Sequence, residues 1–131
     1  ESMVRREAAM KALKELADSL GNENMIAMGD FNDTPDAASF EIIDGTLMNL
    51  GRKLHERGEG TIRYEGKWDL IDMFMVSPDL DGRTDMEICR IPFLMTWERK
   101  HPGEKPLRTY SGPRYIGGVS DHCPIILKIY H

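Results

Sequence analysis

The stretch Met25-Ile26-Ala27-Met28-Gly29-Asp30-Phe31-Asn32-Asp33 sets four apolar residues in a row and changes character at a glycine. So short an apolar run suits a strand buried on both faces better than a helix, with the polar residues at its mouth. Upstream, from Val4 to Leu20, Ala9, Leu13, Leu16, Ala17 and Leu20 recur at helical spacing, with Lys11, Lys14, Glu15 and Asp18 between them, and Gly21 ends the run. That pattern predicts an amphipathic helix. A helix feeding a buried strand points to α/β packing.

Downstream, Asp33-Thr34-Pro35-Asp36 is turn chemistry, and Asp36 is placed to cap a short helix whose apolar side is Phe40, Ile42 and Ile43. Residues 47–60 are irregular and carry Arg52, Lys53, His55 and Arg57. Thr61-Ile62-Arg63-Tyr64 and Trp68 to Val76 read as two strands around the hairpin turn Glu65-Gly66-Lys67. The second strand is apolar except for Asp69 and Asp72 and stops at Ser77-Pro78-Asp79. Residues 86–91 alternate as a half-exposed strand, and 125–130 form a β-rich closing strand. Between them, residues 92–118 are rich in Pro, Gly, Arg and aromatics without a period, which predicts a long binding loop. Trp68, Trp97 and the nine methionines are expected to fill the core.

At 131 residues the chain is one domain, residues 1–131, and no apolar run is long enough to span a bilayer. Its net charge of −5 excludes a general electrostatic footprint for nucleic acid. The charge is uneven, however: residues 1–85 carry a net −8 and residues 86–131 a net +3. Cys89 and Cys123 are too few for a disulfide scaffold and too isolated for a zinc site, which leaves open only a single bridge between them. Neither an initiator Met nor a signal-peptide core stands at the front, so the chain is expected to begin partway through a longer one.

Three stretches share one grammar, an apolar strand with polar groups at its mouth: Gly29-Asp30-Phe31-Asn32, Ile71-Asp72-Met73-Phe74 and Ser120-Asp121-His122-Cys123-Pro124. Together they supply carboxylates for a hard divalent cation, an imidazole that titrates near neutrality and an amide donor for a phosphate oxygen. That inventory suits phosphoryl chemistry. Alone, Asp30 and Asn32 would pass for a turn or cap pair and His122 for a core histidine; the constellation is what decides.

In this order the three stretches resemble the C-terminal signature motifs of the endonuclease/exonuclease/phosphatase family, metal-dependent phosphoesterases similar in fold to pancreatic deoxyribonuclease. The resemblance implies that Asp30 holds and polarises the attacking water, Asn32 hydrogen-bonds the scissile phosphate and Asp72 orients His122, which faces the phosphate. It implies a divalent ion, Mg2+ or Mn2+, at or near Asp121 and Asp30. The family's N-terminal half, with its own metal-ligating Asn and Glu, has no counterpart here. The expected fold is therefore α/β with a mostly antiparallel sheet, the C-terminal half of a four-layer α/β/β/α sandwich. The missing half or a second copy of the chain would cover the sheet.

Directly before Ser120, Lys105, Arg108 and Arg114 are candidate clamps for phosphate oxygens, and Tyr110 or Tyr115 a platform for a base, sugar or other flat group. The substrate stays open between nucleic acid, a lipid head group and a phosphorylated small molecule. The alternative class is a non-catalytic phosphate-binding or scaffold domain of the same fold.

Overall fold

The computed structural model describes residues 2–131. Helix α1 (Ser2–Ser19) leads into β1 (Ile26–Asp30), a 3₁₀ turn (Ala38–Ile42), β2 (Met48–Asn49) and α2 (Arg52–Glu56). β3 (Ile62–Tyr64), β4 (Lys67–Asp69), β5 (Asp72–Val76), α3 (Pro78–Asp81) and β6 (Thr84–Ile88) follow. The last third holds the hairpin β7 (Met95–Glu98) and β8 (Gly103–Pro106), the small hairpin β9 (Tyr110–Ser111) and β10 (Arg114–Tyr115), and β11 (Ile125–Ile129). All strand pairings are antiparallel, which with the helices makes a mixed α/β chain.

β5 is the centre of the molecule. It lies between β1 and β2, and Met73, Met75 and Val76 on it are fully buried. Phe40, Ile43, Leu47, Leu54, Leu70, Met86 and, from α1, Met10 close around it. Removing these side chains from water supplies the main stabilising force, and unbranched Met fills the irregular gaps between them. No helix among the described residues is long and apolar enough to cross a membrane.

Several expectations give way. The strand after the first helix is not buried on both faces: β1 is an edge strand paired only with β5, and Met28 is 69% exposed. The doubly buried strand is β5. On α1 the face turned inward carries Met10, Leu13 and Ala17, while Leu16 and, just past the helix end, Leu20 stand in solvent. The stretch Trp68 to Val76 is two strands, because the chain changes partners at Leu70-Ile71: Asp69 O accepts from Thr61 N at 2.9 Å and Ile71 O from Phe31 N at 2.9 Å. Asp36 caps nothing; it accepts from Thr34 Oγ1 at 2.6 Å and meets His55 Nε2 at 3.1 Å. That hydroxyl hydrogen bond, helped by His55, holds Asp36 below the usual carboxylate pKa.

The irregular stretch 47–60 contains β2 and α2, and 92–118 is not one long loop but two hairpins. Of the two tryptophans, Trp68 lies 4.4 Å from the Arg90 guanidinium, and Trp97 is exposed rather than packed. Met3 and Met28 are likewise exposed rather than core filler. Both cysteines are free thiols.

Candidate active site

The antiparallel register sets Asp30, the last residue of β1, directly opposite Asp72, the first residue of β5. Residues opposed in this way project from the same face of the sheet, so two carboxylates from distant parts of the sequence meet at one corner. The third member is held against the β3–β4 hairpin from the segment before β11. β3 bridges to the chain before β11 at Ile62 and His122, and Thr61 O accepts from Cys123 N at 2.7 Å. Ser120 Oγ accepts from His122 N at 3.0 Å, so the His122 backbone is fixed on both sides.

His122 Nδ1 lies 2.7 Å from Asp72 Oδ2. A carboxylate only accepts, so Nδ1 is the donor in this contact and Nε2 is the ring nitrogen turned away from Asp72. The same Asp72 oxygen accepts from Thr61 Oγ1 at 2.5 Å. Thr61 is fully buried, and its Oγ1 is approached in turn by the N–H groups of Ile71 and Asp72 at 3.4 Å each. The result is a relay, Thr61–Asp72–His122, in which the carboxylate is pinned from two directions. Gly60 makes the close approach of β3 feasible: a Cβ there would stand 2.6 Å from the backbone of Asp69.

On the open side of the imidazole, Asp121 Oδ1 is 3.7 Å from Nε2. Asp30 Oδ1 accepts from the backbone N–H of Asn32 at 2.8 Å, and Asn32 adopts the left-handed conformation, φ 52°, that this tight turn requires. Next to His122, Cys123 is no nucleophile: burial pushes its thiol pKa up and keeps the thiolate, the reactive form, scarce.

With this geometry in hand, comparison with known families is decisive, because the model of the endonuclease/exonuclease/phosphatase family matches residues 1–131. The chain belongs to the endonuclease/exonuclease/phosphatase family. No curated protein and no solved structure matches it. The family assignment gives phosphoesterase or nuclease-type activity as the general class, and members of the endonuclease/exonuclease/phosphatase family typically depend on a divalent metal.

The donor set in this family member fits such an ion. Ligand atoms of Asp30, Asp72 and His122 lie within 4.8 Å of one another, and an oxygen-dominated set suits hard divalent cations. Asp72 Oδ2 and His122 Nδ1 are already committed to each other, however. Asp30, which accepts the Asn32 N–H through Oδ1 alone, is the carboxylate of this group left for a cation, whereas Asp121 approaches His122 Nε2 and is not part of the group.

The remaining sequence candidates divide. Asn32 is exposed and borders a cleft shared with Ser2, Arg5 and Arg6 of α1. Arg108 and Tyr110 line a cleft that reaches Ser120 and Asp121. Arg114 sits on β10, across the register from Ser111. Lys105 Nζ meets Glu98 Oε2 at 2.8 Å, and Glu98 also takes Arg63 Nη1 at 3.4 Å, so a phosphate would compete with this carboxylate for the lysine. The residue that sequence reasoning missed is Thr61. Its signal was the hairpin register, which runs Ile62 opposite Asp69 and so brings the residue before Ile62 toward Asp72.

Proposed function

We propose that this chain carries the catalytic residues of a metal-dependent phosphoesterase that hydrolyses a phosphodiester or phosphomonoester by in-line attack of water. The observation that carries the reading is the Thr61–Asp72–His122 relay standing across the sheet register from Asp30. Asp72 holds the imidazole in one orientation, so that its Nε2 edge is presented to an anionic transition state. Asp30 is the general base that holds and deprotonates the water, and Asn32 at the rim donates its amide to a phosphate oxygen. A Mg2+ or Mn2+ ion held at Asp30, with Asp121 at or near it, would act as Lewis acid on the phosphoryl oxygen and stabilise the leaving oxygen. The unpaired outer edge of β1 and the exposed Met28 support the further reading that the chain is one half of a four-layer sandwich whose N-terminal half covers this sheet.

The test is hydrolysis of bis-p-nitrophenyl phosphate and p-nitrophenyl phosphate with magnesium or manganese against a chelator. It uses this chain, the chain extended upstream, and Asp30→Ala and His122→Ala in both. Metal-dependent turnover lost in both variants upholds the reading. A silent short chain beside an active extended one adds the half-site account, and silence of every form at saturating metal overturns the catalysis. Solution mass then separates an N-terminal cover from a second copy of the chain.

A further inference from the structure

Beside the relay lies a cleft of about 310 Å³ bounded by Arg108, Thr109, Tyr110, Val119, Ser120 and Asp121. Its wall is the β9–β10 hairpin, which is tied to the segment leading into His122. Gly118 N donates to Arg108 O at 3.1 Å, Ile116 N to Thr109 O at 2.8 Å and Thr109 Oγ1 to Val119 O at 3.3 Å. A Cβ on Gly118 would fall 1.8 Å from Leu107 O, so two backbone segments touch here and the cleft wall is fixed to the catalytic segment. Tyr110 meets Tyr115 edge to face, centroids 5.6 Å apart, and both rings are exposed on the hairpin.

Size and chemistry narrow what fits. The volume is at the low end for a ligand site and takes one ring-sized group, not a duplex. The lining holds a single cation, Arg108, and a single carboxylate, Asp121, together with the hydroxyl oxygens of Thr109, Tyr110 and Ser120, of which Thr109 Oγ1 donates to Val119 O and Ser120 Oγ accepts from His122 N. Lys105 is withdrawn into its pair with Glu98. A polynucleotide track asks for a run of cations and stacked bases; one guanidinium and one carboxylate among hydroxyl oxygens, beside a tyrosine, ask for a neutral group bearing several hydroxyls, which both donate and accept. Resting on the phosphoesterase reading, we infer that this cleft is the leaving-group subsite and that it selects the phosphate ester of a single polyhydroxylated ring, a sugar, over a polynucleotide.

The experiment has a binding arm and a turnover arm, both on this chain and on its upstream extension. In the first, glucose 1-phosphate and a short oligonucleotide are titrated against the protein and followed by NMR. The sugar phosphate is expected to shift the Arg108, Tyr110 and Ser120 resonances at millimolar concentration, and Arg108→Ala to abolish those shifts. Tyr110→Phe, which keeps the ring, guards against a variant that misfolds and is expected to weaken the shifts severalfold. In the second arm, Arg108→Ala is expected to lower the ratio of kcat/KM on glucose 1-phosphate to that on p-nitrophenyl phosphate at least tenfold. Sugar-phosphate binding at these residues without turnover in any form would sink the phosphoesterase reading and, with it, the leaving-group role, leaving the cleft a sugar-phosphate binding site. Turnover on nitrophenyl esters with no shifts at the cleft, or tighter binding by the oligonucleotide, overturns the subsite.

Discussion

His122 Nδ1 stands 2.7 Å from Asp72 Oδ2, and the oxygen it touches is the one that the buried Thr61 hydroxyl already holds at 2.5 Å. Thr61 touches neither the imidazole nor the open side of the site, yet it fixes the carboxylate that fixes the ring. It is a positioning residue. Thr61→Val preserves the shape of the side chain and deletes only the hydroxyl, leaving Asp72 one donor short and the Ile71 and Asp72 N–H groups without their acceptor. A hydrogen bond to a charged group is worth about 1.5–3 kcal/mol, so kcat should fall by about tenfold to a hundredfold with KM little changed. Thr61→Ser should restore most of the loss. Equal rates in all three forms would show that Asp72 needs no second donor.

The lowered pKa of Glu98 makes the β7–β8 hairpin pH-sensitive. The Lys105 hydrogen bond is its main cause, partly offset by burial, with Lys105, His101 and Arg63 adding favourable charge. Because the folded carboxyl titrates below its unfolded value, its stabilising contribution is complete above the ordinary glutamate range and is lost as pH falls through the lowered value. The protection factors of the β7 and β8 amides, each referred to the intrinsic exchange rate at its own pH, should therefore fall as pH drops below the ordinary glutamate range. Glu98→Gln should remove that pH step.

Burial of Cys123 raises its thiol pKa, so the thiolate appears only above the usual thiol range. Alkylation of the folded protein near pH 8 should modify Cys89, which is partly exposed, well before Cys123, and denaturant should equalise the two. Mass spectrometry of the modified chain reads the order directly. Early labelling of Cys123 would mean that the segment after His122 opens in solution.

Much of the fold and site was legible in the sequence where a local signal and the tertiary structure agree. The Glu65-Gly66 turn has positive φ at both residues, 49° and 82°, which is what a two-residue hairpin demands, and Asp72 and His122 meet as their motifs implied. The failures share one physical cause, that apolar character does not say which neighbour will cover it. Met28 lies in the apolar run that reads as a buried strand, yet β1 has a partner on one edge only. Trp97 reads as core and stands exposed. Lys105 reads as a free cation because Glu98 and Arg63, which decide its partner, lie on other strands. Thr61 was hidden for the same reason, its role coming from a contact eleven residues away.

That distinction between apolar and covered gives a paired test of packing. Met73 has no exposed surface at the centre of β5, whereas Met28, on the neighbouring strand and opposite Phe74, is largely in solvent. Met73→Ala removes buried methylenes and leaves a cavity, at a cost of about 2–5 kcal/mol. Met28→Ala in this chain should stay within about 0.5 kcal/mol of the parent. Urea unfolding with unchanged m-values reads both. If extending the chain upstream makes Met28→Ala costly as well, the added segment is what covers this face, because only a side chain that loses water on assembly can acquire a burial energy.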